Sequence, residues 1–285
     1  MKINKVTKQH KHYPSYLCEI AHPPKELFYI GEPPTDYLPS VTIVGSRKIT
    51  PYGKDTTYRL AFDLAKQGIT IVSGLALGVD GIAHQATIDA RGRGIAVLAG
   101  GLDKIHPSSH RNLAIELLKK GGTIISEYTE GTPPLKQNFV ARNRIVAALS
   151  DVVIITESTE AGGSLITANF ALEQNKQVGA VPGPITSSLS IGTNNLLKSG
   201  AHVITCAEDV LNILGVQTKE KQHLEIFGDT QEEQVIIDIM KEGITELDQI
   251  QKRSELEPAI FSQTITMLEI SGKIRPLGAA HWTLR

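Results

Sequence analysis

Between residues 41 and 204 the chain repeatedly interrupts longer amphipathic stretches with short runs of Val and Ile, and this alternation limits the fold more than any other feature. The runs are VTIVG, ITIVSG, GIAVLAG, TIISE, VVIITE, QVGAVPG and AHVIT, with ELFYIG ahead of them as an edge strand. They lack the apolar-polar alternation of a sheet with one wet face, so the strands must be covered on both sides. The intervening segments are long enough for crossover helices. The pattern predicts an α/β protein with an extended Rossmann-type, doubly wound, mostly parallel sheet.

Glycine or a small polar residue ends each run: Gly45-Ser46-Arg47, Ser73-Gly74-Leu75, Gly100-Gly101-Leu102-Asp103, Ser126-Glu127, and Glu157 leading to Gly162-Gly163-Ser164. In open α/β sheets the strands' carboxyl ends and the following helix N-termini form the ligand crevice, so these five turns are expected to converge on one edge. After residue 215, VQTKEKQHLE reads as a linker. Apolar periodicity returns in EEQVIIDIM, ELDQIQKRS and PAIFSQTITMLEISG, followed by the ribbon-like KIRPLGAAHWTLR. Three short helices and a ribbon predict a small winged-helix-like domain. The expected division is an N-terminal extension over 1–26, a Rossmann-like domain over 27–215, a linker over 216–224 and the winged-helix-like domain over 225–285.

The start, MKINKVTKQHKHYPSYLCEI, has no apolar leader, and no run of about 18 apolar residues occurs, so neither secretion nor membrane spanning is expected and the chain reads as cytoplasmic. Cys18 and Cys206 have no zinc or redox spacing and are expected to be reduced and structural. The net charge of -1 conceals an asymmetry: residues 40–215 hold 16 Lys/Arg against 14 Asp/Glu, and residues 216–285 hold eight against 12. An anionic polymer is therefore attracted to local clusters in the middle and repelled on average by the tail.

Three stretches carry that chemistry. At Gly45-Ser46-Arg47 a glycine permits close backbone approach, a hydroxyl can donate, and a guanidinium fork fits phosphate; the alternative is a tight turn with Arg47 solvated. The G-x-G-x-x-G fingerprint and its acidic ribose ligand are absent, so no dinucleotide cofactor is expected. In AGGSLITANFALEQ, Gly163 and Ser164 open a helix whose Leu165, Ala168 and Leu172 share one face; this is either an anion cradle or a self-capped helix. GTPPLKQNFVARNRIVAALS gathers Lys136, Arg142 and Arg144 around Phe139. Arg142 falls on the sheet-facing stripe and should reach toward the strand ends, whereas Arg144 points away and reads as solvated. Phe139 is either a core residue or a base-stacking platform beside a phosphate on Lys136. Ser73, Ser126 and Ser164 lack a nucleophile elbow, and His84 and His106 form no visible triad or metal site. His84 reads as a packing or capping residue, and Asp80 and Asp103 as turn formers.

Six ordered blocks, VTIVGSRKITPYG, IVSGLALGVDGIAHQAT, GIAVLAGGLDKIHPSSHRNL, IISEYTEGTPPLKQNFVARNRIVAALSDVVIITEST, GGSLITANFALEQNKQVGAVPG and GTNNLLKSGA, together resemble the DNA-processing protein A (DprA/Smf) family over about residues 27–205. The resemblance implies a homodimeric cytosolic protein that binds single-stranded DNA, protects incoming DNA and helps load the RecA recombinase in natural transformation. The family is not known to be enzymatic. The implied DNA pocket comprises Gly45, Ser46, Arg47, Lys136 and Phe139, together with Arg142, Asn143, Gly163 and Ser164. Two departures are visible: only about 25 residues precede ELFYIG, where many members carry a helical module, and the tail's expected recognition helix, EPAIFSQTITMLEIS, has no Lys or Arg. That tail is expected to serve protein contact or internal packing rather than DNA. The competing class, phosphoribohydrolase-type nucleotide enzymes, resembles P-G-G-x-G-T-x-x-E; here Asn169 stands where the catalytic glutamate would be, and an amide cannot relay a proton.

Overall fold

Each of these Val/Ile runs becomes a strand, and the order in which they pair decides where a ligand can sit. The computed structural model describes residues 2–35, 39–216, 227–278 and 281–284. It forms two compact units, Met1–Gln217 and Thr218–Arg285. In the first, β1 (Asn4–Thr7), α1 (Tyr16–Glu19), β2 (Glu26–Gly31), β3 (Ser40–Val44), α2 (Pro51–Lys66), β4 (Thr70–Ser73), α3 (Val79–Asp89) and β5 (Gly94–Val97) are followed by α4 (Arg111–Lys119), β6 (Thr123–Ser126), α5 (Lys136–Ala148), β7 (Val152–Ile155), α6 (Gly163–Glu173), β8 (Gln177–Ala180), α7 (Ile191–Lys198), β9 (His202–Val203) and α8 (Ala207–Ile213).

The strands make one nine-stranded sheet in the order β1-β2-β6-β5-β4-β3-β7-β8-β9. From β6 to β9 across the sheet the pairing is parallel, while β2 and β1 add antiparallel strands at one edge. The chain winds outward from β3 in one direction through β4, β5 and β6, then returns beside β3 as β7 and winds the other way. The carboxyl ends of β3 and β7 are therefore the topological switch point, where an open α/β sheet leaves a crevice. β1 has no visible signature in the sequence, because NKVT supplies a single buried apolar residue, Val6.

Both faces of the sheet are covered. Val41, Ile43, Ile71, Val152 and Ile154 pack under Leu60 and Leu64 of α2, Val79 and Ala83 of α3, and Val210 of α8. Val72, Val153, Ile155 and Val178 meet Ile145 and Val146 of α5 and Ala168 and Ala171 of α6 on the other side. Buried hydroxyls fix these layers. Thr42 Oγ1 donates to Val146 O (2.8 Å) and accepts from Ser150 Oγ (2.9 Å), and Thr57 Oγ1 donates to Thr156 Oγ1 (2.8 Å).

The N-terminus of α2 holds an internal anion. Glu157, 2% exposed, accepts from Thr50 N (3.0 Å) and from the Thr50 hydroxyl, while Thr50 Oγ1 caps the helix by accepting from Gly53 N (3.0 Å). A Cβ on Gly53 would lie 2.3 Å from the Glu157 carboxylate, so glycine in this first turn admits the charge that the helix dipole attracts.

The second unit contains α9 (Gln231–Lys241), α10 (Leu247–Ser254), α11 (Pro258–Ile270) and an antiparallel ribbon of β10 (Ile274–Gly278) and β11 (His281–Leu284) around Ile236, Ile237, Ile250, Phe261 and Leu268. Three helices and a ribbon give the winged-helix arrangement. Thr230 caps α9, accepting from Glu233 N at 3.2 Å, and Lys273 joins the ribbon's entry to Asp229 (2.7 Å) and Glu233 (2.9 Å). Most of the segment expected as a linker lies outside the described residues. Cys18 and Cys206 are free and exposed, and the Cys206 sulfur caps α8 instead of packing in a core. Among the described residues no helix is long and apolar enough to cross a membrane.

Two stability predictions follow from buried polar groups. His84 on α3 is fully buried; burial, helped by nearby His110, pushes its pKa from 6.5 to about 3. The folded state keeps the ring neutral while the unfolded chain takes up a proton below 6.5. Stability is therefore retained above that pH and lost on acidification, by about 1.4 kcal/mol per pH unit. Urea unfolding at pH 7 and pH 5 should differ by roughly 2 kcal/mol from this group, and His84→Leu should remove that part of the slope. Gly53→Ala, stabilising by about 1 kcal/mol in an exposed helix, should here destabilise the first unit by about 1–2 kcal/mol by displacing the Glu157 cap. Thermal unfolding measures the sign.

Candidate functional site

At the switch point the chain leaves β3 through Gly45. A Cβ there would lie 2.7 Å from both Glu157 O and Val79 Cγ2, so the glycine is required by close packing between the two strand exits. Ser46 N donates to Glu157 O (2.8 Å) and Ser46 O accepts from Val79 N (3.2 Å). The Ser46 hydroxyl is closed on Lys48, accepting from its N–H (3.1 Å) and donating to its carbonyl (2.9 Å). This turn therefore does not present the Ser46 amide or hydroxyl as a free donor. It is a rigid mount from which Arg47 and Lys48 project, both exposed.

With Glu157 seated at α2, the N-terminus of α6 remains open to an external anion, as does that of α5, whose N-cap Leu135 has no side-chain cap either. The N-cap of α6, Gly162, has no side-chain cap, and the space where a Gly163 Cβ would stand is empty. Ser164 is buried and its hydroxyl turns inward to Ser158 Oγ (3.0 Å), so this residue fixes the turn. The buried stripe of α6 is Ser164, Thr167, Ala168 and Ala171; of the three residues expected to share one face, Ala168 is buried and Leu172 is 57% exposed. The elements packed against the helix set which residues are buried.

Lys136 is the first residue of α5 and is exposed, with no acidic residue in that turn. A cation at the positive end of a helix dipole is unfavourable by itself, and an anion between them removes the conflict. One turn on, Phe139 is half-buried, and the Arg47 guanidinium lies 5.1 Å above its ring. Phe139 is thus neither a core residue nor a bare platform; in this state it supports Arg47. Asn143 bridges to α6, Nδ2 donating to Gly163 O at 3.4 Å.

Arg142 reaches the strand ends and is spent there. It is 4% exposed and donates to Gly74 O (2.8 Å) and Val97 O, with its Nε unpartnered. Burial lowers its pKa to about 10, opposed by the Asp80 charge, so the guanidinium stays protonated. Gly74 leaves room for it, since a Cβ would sit 2.5 Å from the guanidinium nitrogens. Asp80 in turn accepts from Gly74 N (3.0 Å) and Ala76 N (3.3 Å). Arg142 is a buried strut under the cleft instead of an outward ligand, because the carbonyls of two strand ends take its donors. Arg144 is not solvated either: it forms a bidentate pair with Glu127 (2.9 and 2.6 Å) and donates from Nε to His22 O (2.9 Å). Asp103 is a loop former, accepting from Gly131 N at 2.9 Å.

These elements enclose a cleft of about 700 Å3 that Gly45, Ser46, Arg47, Lys136, Phe139, Arg142, Asn143, Gly163 and Ser164 all line. Sequence reasoning missed Lys48, which also lines it, and the Glu157 cap. The visible signal for the cap was Gly53, a helix-weakening residue in a first turn. Four cations line the cleft; the carboxylate among its lining residues, Asp80, is buried on backbone amides. Of the five strand-end turns, those after β3 and β7 form the walls, the one after β4 contributes Ala76, and the Gly100-Gly101 turn packs against residues 129–134.

Residues 4–215 match the family model described as DNA recombination-mediator protein A, and residues 221–279 match the DprA winged helix domain. Protein Smf of Escherichia coli (strain K12) is 43% identical over 202 residues, 71% of this chain and 54% of that protein, so the chain spans about half the length of this relative. DNA processing protein DprA of Bacillus subtilis (strain 168) is 40% identical over 213 residues, 74% of this chain and 71% of that one. Among solved structures, DNA processing protein A of Streptococcus pneumoniae superposes with a TM-score of 0.69 at 38% identity, covering 74% of each chain. The Helicobacter pylori protein, whose structure concerns its single-stranded DNA binding mode, gives 0.66 at 35% identity, covering 75% of this chain and 95% of that one. Match, fold and order of elements agree: the chain belongs to the DNA recombination-mediator protein A (DprA/Smf) family.

Proposed function

We propose that the cleft at the β3/β7 switch point binds single-stranded DNA through its backbone. The observation that carries this reading is the convergence of Arg47, Lys48, Lys136 and the uncapped N-terminus of α6 on one cleft. A phosphate between Arg47 and Lys136 meets two cations and the amide end of a helix. As Arg47 turns to that phosphate, the ring of Phe139 is freed for a base. Gly163, with no side chain, lets the backbone approach α6, and Asn143 braces that turn. Such contacts position a strand without reading its sequence. The H. pylori relative's single-stranded DNA binding supports the substrate class.

The cleft's chemistry is that of a binding protein and not of a hydrolase. Asp80 is committed to amides and Asn169 is an exposed amide on α6, so neither serves as a general base. Family membership supports the wider reading: a cytoplasmic homodimer that protects incoming single strands and loads the RecA recombinase in natural transformation. The winged helix contributes protein contact. Its α11 exposes Ile260, Met267 and Ile270 and bears no cation with which to face phosphates.

Arg47→Ala and Lys136→Ala should each weaken oligothymidine binding by about 1–3 kcal/mol, and each should flatten the salt dependence by roughly one phosphate's worth, about 0.7 in the log–log slope. Anisotropy titrations at two salt concentrations read both, and unchanged affinity in both variants rejects the site. A chain ending at Val216 should keep single-strand affinity within about twofold of the full chain, since α11, the expected recognition helix, carries no cation; a much larger loss would assign DNA contact to the winged helix.

A further inference from the structure

The wall of the cleft beside Phe139 continues beyond the residues that line it. The loop after β5 and the loop before α5 are joined, Gly101 N donating to Thr132 O (2.9 Å) and Gly131 N to Asp103 Oδ1 (2.9 Å). A Cβ on Gly100 would stand 2.9 Å from Thr132 O, so the two backbones touch. The far end of the first loop is tied down as well: His110 N donates to Pro107 O (3.0 Å), and His110 Nδ1 lies 3.0 Å from Leu75 O. Between these anchors His106 is exposed, its ring 5.8 Å from that of Phe139 and inclined at 62°. Two rings on separate, cross-braced loops thus make an open corner at the edge of the cationic cleft.

We propose that His106 is a base-contacting residue of this site. The imidazole face and the Phe139 edge take the nucleobase next to the phosphate held by Arg47 and Lys136, so that the strand leaves the cleft over the β5–α4 loop. The inference rests on the single-strand reading above. The rings are inclined instead of stacked on each other and His106 is exposed, so a base can stack on the imidazole, and stacking accepts any base. The surrounding charges favour base over phosphate at this corner: Lys104 is exposed two residues earlier, but Glu130 is exposed on the facing loop and Asp103 is committed to Gly131.

The test compares oligothymidine with an abasic oligonucleotide of equal length, titrated against the full chain and its His106→Ala, His106→Phe and Arg47→Ala variants, with thermal unfolding to verify folding. His106→Ala should lose at least about fivefold in affinity for oligothymidine, the lower bound for one base on an aromatic ring. It should be unchanged on the abasic strand, and His106→Phe should retain binding. Arg47→Ala should lose affinity for both strands. If His106→Ala binds oligothymidine normally, or loses equally on both strands, the base contact is refuted. Loss in Arg47→Ala alone leaves the cleft as the DNA site, whereas no loss in any variant overturns the underlying reading too.

Discussion

The buried carboxylate of Glu157 is the interaction on which the geometry of the cleft depends. Its side chain receives Thr50 at the head of α2, and its backbone oxygen receives Ser46 N from the exit of β3. One residue at the exit of β7 thereby fixes the neighbouring strand exit and the helix that follows it. Gly45 and Gly53 are both explained by proximity to this residue, since a Cβ at either would collide with it. A buried charge is tolerable only when its lone pairs are met, and here backbone, hydroxyl and helix dipole share that task.

An internal anion at α2 changes what the rest of the site can do. The dipole of α2 is already answered, so in the proposed binding mode a phosphate turns instead to the open helix ends of α5 and α6 and to the side chains of Arg47, Lys48 and Lys136. Beneath them, Arg142 and Asp80 form a second buried layer that locks the ends of β4 and β5 to α3 and α5. This layer fixes the backbone of the cleft floor, while Arg47, Lys48 and Lys136 above it stay exposed. The division of labour between Arg142 and Arg47, one inside and one outside, follows from position on the helix wheel and from which carbonyls lie within reach.

Most of the fold was legible because its signal is local. Seven Val/Ile runs and ELFYIG mark eight strands of the sheet, and the turn residues after the runs mark the crevice. Arg47 stands out by the strand-end rule and Lys136 and Phe139 by their local cluster of charge and ring; it is the family resemblance that groups them into one pocket. What the sequence withheld depends on distant partners. Arg142 finds its acceptors 68 and 45 residues away, Glu157 meets Thr50 across 107, and Arg144 pairs with a glutamate from the end of another strand. No local period encodes such pairings, so a spent guanidinium and an available one look alike in sequence. On α6 the spacing that puts Leu165, Ala168 and Leu172 on one side is local, but which residues are buried is set by the elements packed against the helix, and Leu172 is left exposed.

The most direct measurement of whether an unpaired polynucleotide is held by its phosphates at this rim of the sheet is a crystal structure of the chain with oligothymidine. The prediction is a phosphate seated between the Arg47 guanidinium, the Lys136 ammonium and the N-terminus of α6. An empty cleft with the oligonucleotide ordered on another surface would contradict it.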